Sequence, residues 1–275
     1  MAKHELITSV SNENVRYVRS LHRRGDRAAE CAYIAEGLRT LEEAMQARVR
    51  PNMLFYTEEV TGQERAGALL AAAQEQEVLL KQVSQQVMAA MSGTVTPSGL
   101  LAVVPMAAET AIPDNLGFLL IMDALRDPGN VGAILRSALA AGVDAVITTT
   151  GTVDLYNPKV VRAGMGAHFR LKLCLAQDWA AVRGALQGMQ LWIARPRTGK
   201  CYWEVDWCRP SALLIGGEAH GVSSEAEYLA GSDVMIPMRQ EVESLNAAIA
   251  ASIMLFEASR QRSMTREEAP CGFGT

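Results

Sequence analysis

Three loops rich in glycine and proline, each following a run of apolar residues, carry the side chains best placed to do chemistry. Asp127-Pro-Gly-Asn130 follows Leu119 to Asp123 and opens a helical segment bearing Arg136. Gly216-Gly-Glu-Ala-His-Gly221 follows Ala212 to Ile215 and contains Glu218. Val234-Met-Ile-Pro-Met238 leads, after five mostly polar residues, into Ser244-Leu-Asn246 and the apolar run Ala247 to Phe256. A strand that ends in such a loop exposes backbone amides beside a helix N-terminus, where α/β proteins hold ligands. Three such junctions within about 120 residues predict one composite pocket. Singly, each is ordinary: Pro and Gly make a turn, a glutamate suits a helix start, and most arginines on helices are merely solvated. There is no GxGxxG after the first strand and no GxxxxGK[ST]. His4, His22, His168 and His220 show no metal-ligand spacing, so no metal site is expected.

The elements that position these loops follow from composition and patterning. At 275 residues, 49% of them hydrophobic and 20% charged, the chain is long enough for two globular domains with cores of their own. Five cysteines, odd in number and without CxxC spacing, predict free thiols in a reducing compartment. The longest nearly apolar run, Leu245 to Phe256, is too short for a bilayer and the N-terminus has no apolar signal core, so a cytoplasmic protein without membrane partners is expected. A net charge of −4 argues against binding nucleic acid by overall charge. A local patch exists, however: Arg16, Arg19, Arg23, Arg24 and Arg27 lie against the single acid Asp26, and four of them recur at helical spacing that shares one face. A solvated helix surface accounts for that cluster equally well.

From Val10 to Pro105 helical and strand-like pieces alternate, with an amphipathic segment at Gly37 to Ala47 and strands predicted at Met53 to Tyr56 and Leu100 to Val104. Pro105 to Asn115 lacks periodicity and reads as a linker. Beyond it, apolar strands at Phe118 to Met122, Ala145 to Thr148, Leu171 to Leu173, Gln190 to Ala194, Ala212 to Ile215 and Val234 to Ile236 alternate with helices, which predicts a parallel sheet covered on both faces. The expected organisation is residues 1–106, a linker at 107–115, residues 116–262, and a mobile tail at 263–275.

Taken in order, the three loops resemble the SpoU (TrmH-like) family of RNA ribose 2′-O-methyltransferases in the SPOUT superfamily. Asp127-Pro-Gly-Asn-Val-Gly-Ala-Ile-Leu-Arg136 is similar to the family's first motif, Leu214-Ile-Gly-Gly-Glu-Ala-His-Gly221 to its second, and Ile236-Pro-Met together with Ser244-Leu-Asn-Ala247 to its third. Asn157-Pro-Lys-Val-Val-Arg-Ala-Gly-Met-Gly-Ala167 is a further match. Tyr33-Ile-Ala-Glu-Gly37 and Thr96-Pro-Ser-Gly-Leu-Leu-Ala-Val103 resemble the substrate-binding domain of many members, similar in fold to ribosomal protein L30e. Departures are small: Gly217 stands where asparagine is frequent and Gly164 where serine is common.

The resemblance implies an α/β fold in two parts. A small N-terminal L30e-like domain binds RNA, and a Rossmann-like parallel-sheet catalytic domain ends in a trefoil knot where an unknotted sheet would otherwise be expected. It implies S-adenosylmethionine held by Thr149, Gly217, Ile236, Met238, Leu245, Asn246 and Ala247. It also implies a homodimer acting on RNA, with ribosomal RNA preferred over transfer RNA on the strength of the added domain. Arg136 is the implied catalytic residue. A guanidinium stays protonated in proteins, so its fitting role is to grip the RNA phosphate bidentately and stabilise developing alkoxide charge. Asn130 and Glu218 would position the hydroxyl or Arg136, while Ser244 and Asn246 would organise the third loop. Arg16, Arg19, Arg23, Arg24 and Arg27, with Asn157, Lys159 and Arg162, are the implied RNA contacts. Two readings from other classes remain: a catalytically silent RNA-binding or ribosome-assembly protein of this fold, and a nucleotide-dependent oxidoreductase, which the missing GxGxxG opposes.

Overall fold

A computed structural model describes residues 6–107, 111–217 and 221–266. They fall into two compact units: Met1–Ala108 with Asp154–Arg170, and Glu109–Val153 with Leu171–Thr275.

The first unit is built from α1 (Glu13–Ser20), α2 (Arg24–Glu30), β1 (Ala32–Glu36), α3 (Leu38–Gln46), β2 (Met53–Tyr56), α4 (Glu58–Thr61), α5 (Glu64–Glu75), β3 (Leu79–Gln82), α6 (Gln85–Met91) and β4 (Leu100–Pro105). Its four strands run in the order β1-β4-β2-β3, antiparallel except for the β2·β3 pair. Val15, Val18, Leu21, Val87 and Met91 cover one face of this sheet and form its core with Ile34, Phe55 and Val103. The basic segment is not one helix, because the chain turns between α1 and α2. That break corrects the expectation for Arg27, which is 2% exposed and donates to the Leu21 carbonyl and to the Asp154 carboxylate.

Asp154–Arg170, expected within the second domain, also packs with the first unit. The reason is burial. Pro158, Val160 and Val161 lie on the inner side of α8 (Pro158–Gly164), and Tyr156 and His168 stack beside Tyr33, with the Tyr33 and Tyr156 ring centroids 4.7 Å apart. His168 Nε2 faces the Leu155 carbonyl at 2.8 Å; a carbonyl only accepts, so Nε2 carries the proton. Burial pushes this imidazole down to about 4, against smaller upward pulls from the Leu155 carbonyl and Asp154. The unfolded chain therefore binds more protons between about pH 6.5 and 4. His168 should contribute stability in full above that window and lose about 3 kcal/mol of it as the pH falls through it. Urea unfolding should show this loss in the wild type, and His168→Gln, which keeps an amide donor but cannot titrate, should abolish it.

The second unit holds β5 (Phe118–Asp123), α7 (Pro128–Ala140), β6 (Ala145–Thr149), β7 (Lys172–Gln177), α9 (Trp179–Ala185), β8 (Gln190–Arg195), β9 (Lys200–Cys201), β10 (Ser211–Gly216), α10 (Ser224–Glu227), β11 (Ser232–Met235) and α11 (Ala247–Arg266). The strands form one seven-stranded sheet in the order β7-β6-β5-β10-β8-β11-β9, and every pair is parallel. The central strands β5 and β10 are apolar runs because helices pack on the sheet; Leu119, Ile121, Leu214 and Ile193 share one core cluster. The last helix continues to Arg266, beyond the point where the tail was expected to begin. Among the described residues no helix is long and apolar enough to cross a membrane, and no group of three or more His, Cys, Asp or Glu side chains is placed to hold a metal. Among the described residues the Cys174 thiol donates to the Ala111 carbonyl and the Cys208 thiol to the Gln261 carbonyl, each at 3.6 Å.

Candidate functional site

Asp123, at the carboxyl end of β5, ties the strand ends together. It is 1% exposed; Oδ1 accepts from the Thr149 hydroxyl at 2.6 Å and Oδ2 from the Ser223 amide at 2.6 Å. One carboxylate thus joins the end of β6 to the loop after β10, whose last residue, Gly216, is in register with Asp123. The backbone then packs so closely that side chains are excluded. A Cβ on Gly217 would lie 2.8 Å from the Ala124 carbonyl oxygen, and one on Gly216 only 2.4 Å from the Gly221 carbonyl carbon. Gly221 has φ 69°, and its amide donates to the Gly217 carbonyl at 2.9 Å.

Beside this turn lies a cavity of about 530 Å³. Ala194–Pro196 after β8, Ile215–Gly217 with Gly221 after β10, Ile236 and Met238 after β11, and Glu243–Ala247 with Ala250 and Met254 of α11 line it. Gly217, Ile236, Met238, Ser244, Leu245, Asn246 and Ala247 therefore line one cavity. Thr149 does not line it, and its buried hydroxyl is held by Asp123. The first loop does not line the cavity either. The wall at Ala194-Arg-Pro196 was missed, although a strand running into a proline is the same signal that marked Ile236-Pro237. Within that wall Arg195 is neutralised by the carboxylates of Glu227 and Asp233, whose hydrogen bonds hold its guanidinium above the ordinary arginine value against the effect of burial.

The first loop reaches the site through α7. Asp127 caps that helix by accepting from the Asn130 amide at 2.7 Å, and Pro128 fits its first turn, where no amide is needed. Asn130 Oδ1 then accepts from Asn246 Nδ2 at 2.9 Å. Asn246 in turn caps α11, its Oδ1 accepting from the amides of Ala248 and Ile249. Two turns further along α7 the same face meets α11 again, where the Ser137 and Ser252 hydroxyls are 2.7 Å apart. Arg136, next to Ser137, is exposed on the flank of this contact, and among the described residues it makes no hydrogen bond or ion pair. Asn246→Ala should remove both the cap and the bridge, costing about 1 kcal/mol and lowering the melting temperature by roughly 2–4 °C. Asn246→Asp should keep the cap and the melting temperature while lowering activity, a pair of outcomes that thermal unfolding and a transfer assay would separate.

Glu218 lies outside the described residues. Arg16, Arg19, Arg24 and Lys159 are exposed on the first unit; Arg23 is exposed but pairs with Asp26 at 3.1 Å. Asn157 caps α8 by accepting from the Lys159 amide at 2.9 Å. Arg162 is half-buried, with Nη1 4.0 Å from Glu36 Oε2.

A cavity at the carboxyl ends of parallel strands, lined by glycines, small residues and an apolar patch, defines a ligand-binding α/β domain. The particular family follows from comparison with known proteins. The SpoU rRNA Methylase family model matches residues 117–256, and the MRM3-like substrate binding domain matches residues 12–102. An uncharacterized tRNA/rRNA methyltransferase of Synechocystis sp. is 35% identical over 93% of this chain and 94% of its own. The human mitochondrial rRNA methyltransferase 3 is 33% identical over 83% of this chain and 67% of its own. The AdoMet-bound rRNA methyltransferase of Sinorhizobium meliloti superimposes with a TM-score of 0.81 at 28% identity, covering 93% of this chain and 97% of that one. The AviRb SpoU methyltransferase of Streptomyces viridochromogenes, in complex with AdoMet, superimposes with a TM-score of 0.79 at 29% identity, covering 92% of this chain and all of that one, 100%. The chain belongs to the SpoU rRNA methylase family.

Proposed function

We propose that this protein transfers a methyl group from S-adenosylmethionine to a ribose 2′-hydroxyl of ribosomal RNA. The observation that carries the reading is the cavity of about 530 Å³ after β8, β10 and β11, joined through the Asn246–Asn130 bond to the helix that presents Arg136. Its volume lies within the roughly 300–1,000 Å³ usual for ligand clefts. The fit to this cofactor is supported by the glycine turn, which brings main chain against the cavity, and by the apolar patch of Ile236, Met238, Leu245 and Met254 beside the polar groups of Glu243 and Ser244. Gly217, Ile236, Met238, Leu245, Asn246 and Ala247 would hold S-adenosylmethionine, which supplies an electrophilic methyl on a sulfonium for in-line displacement. Asn130 and Asn246 hold α7 against α11 and so fix where Arg136 stands. The Arg136 guanidinium grips the RNA phosphate beside the target ribose and stabilises charge as the hydroxyl loses its proton, with that phosphate or a water as acceptor. Glu218 is assigned to positioning the hydroxyl or Arg136 on the motif alone.

The RNA assignment is supported by relatives whose names specify ribosomal RNA, including the 23S rRNA (guanosine(2553)-2′-O)-methyltransferase RlmP of Bacillus subtilis, 27% identical over 91% of this chain. The first unit would bind RNA through Arg16, Arg19, Arg23, Arg24, Asn157, Lys159 and Arg162. We assign the location to the cytoplasm, in keeping with an odd number of cysteines without CxxC spacing. A homodimer is supported by α11, where Ile249 and Phe256, both about half exposed, stand seven residues apart on one apolar face. A knot is supported by the strand order, in which the chain goes from β10 to β11 beyond β8 and returns along α7 as α11. Incubating unmodified ribosomal and transfer RNA with labelled S-adenosylmethionine and mapping the modified nucleotide tests the function. Label on a ribose of ribosomal RNA is expected. Transfer only to transfer RNA would overturn the substrate, and donor binding without transfer to either pool would make the protein a silent RNA binder.

A further inference from the structure

The cavity wall formed by Glu243, Ser244 and Leu245 belongs to an exposed segment between β11 and α11. What fixes it lies across the cavity, in the turn between β8 and β9. That turn is anchored on β11. A Cβ on Gly199, which has φ 109°, would lie 2.3 Å from the Asp233 carbonyl carbon, and the Thr198 hydroxyl donates to Asp233 Oδ2 at 3.1 Å. From this base Arg197 reaches over the following segment. Its Nη2 donates to the Gln240 carbonyl at 3.1 Å and to the Val242 carbonyl at 2.9 Å. Its neighbour Pro196 lines the cavity, and the carbonyls it holds lie directly before Glu243. One side chain thus ties two walls of the same pocket together.

We propose that Arg197 is a positioning residue for the methyl donor, holding the segment before α11 in its binding shape; this rests on the reading that the cavity takes S-adenosylmethionine. Arg197 itself is exposed and its bonds are to main chain, so its loss should loosen the wall without disturbing the core. The apparent dissociation constant of a ligand rises as the inverse of the fraction of molecules whose site is already formed. Once donor is bound the wall is restored, so the transfer step should be little affected.

Calorimetric titration of the full chain with S-adenosylmethionine, alongside transfer kinetics, tests this on wild type, Arg197→Ala and Arg197→Lys. In Arg197→Ala the donor dissociation constant should rise about tenfold, while kcat at saturating donor stays within about twofold of wild type. Arg197→Lys should recover most of the affinity, because one nitrogen can reach both carbonyls. Amide exchange over residues 240–245 should quicken in Arg197→Ala without donor and return toward wild type with it. Donor binding equal in wild type and Arg197→Ala, or a loss that falls on kcat alone, would overturn the role of Arg197. A wild-type protein that binds no donor would overturn the pocket reading and this proposal together.

Discussion

Arg136→Lys is expected to lower kcat by about 10²–10³-fold while leaving the dissociation constant for S-adenosylmethionine within about twofold of wild type. The separation follows from where the residue stands. Arg136 is absent from the cavity lining, so donor binding has no direct stake in it. It is exposed on the flank of the α7–α11 contact, fixed at one end by Asn246 on Asn130 and at the other by Ser252 on Ser137. No described acid competes for it, which leaves the guanidinium fork for a phosphate. Lysine preserves the charge but not two parallel donors, so an effect nearly as large as that of Arg136→Ala would identify geometry as the contribution. Single-turnover kinetics at saturating donor and RNA would measure it directly. A lysine enzyme with near-normal kcat would reduce the role of Arg136 to charge alone.

Substitutions at the glycine turn should act oppositely, on donor binding and stability. In Gly216→Ala the new Cβ would meet the Gly221 carbonyl carbon at 2.4 Å and its oxygen at 2.5 Å. Both are main chain between β10 and the next loop, and neither can rotate away. The expected result is a loss of about 1–3 kcal/mol in stability and a drop of roughly 10–100-fold in donor affinity as the turn opens. Gly217→Ala, whose clash is 2.8 Å from the Ala124 oxygen, should be milder. Gly221→Ala has open space around its Cβ but must adopt a φ of 69°, so its cost of about 1–2 kcal/mol should come from backbone conformation alone. Thermal unfolding and donor titration of the three variants would order them; a Gly216→Ala protein that binds donor like wild type would show that the turn yields more than its packing implies.

Much of this site is legible in the chain because its chemistry is local. Asp127-Pro128 announces a capped helix and Ser244-Leu-Asn246 another, and the apolar run before the first is the fully buried strand β5. What could not be read depends on tertiary packing. Arg27 shares helical spacing with Arg16, Arg19 and Arg23, but the turn before α2 rotates it inward onto Asp154, 127 residues away. Thr149 ends a strand as plausibly as any ligand contact, yet a partner 26 residues earlier, Asp123, holds its hydroxyl. Strand β1 is short, and its burial comes from distant parts of the chain: it pairs with β4, and Tyr33 packs against Tyr156 and His168. Arg197 gave no sign in the sequence, because its partners are carbonyls and carbonyls are everywhere.

The placement of Asp154–Arg170 bears on how the protein is made. The chain leaves the first unit after Ala108, returns at Asp154 and leaves again after Arg170. As the chain emerges from the ribosome, the first unit therefore cannot complete itself when its own strands are finished. Tyr33 waits for Tyr156 and His168, and buried Arg27 waits for Asp154. At roughly 5–20 residues per second, that delay is several seconds, during which β5, α7 and β6 are already being synthesised. The first unit is therefore complete only when residue 170 has emerged, and a chain cut after β4 would leave it without α8.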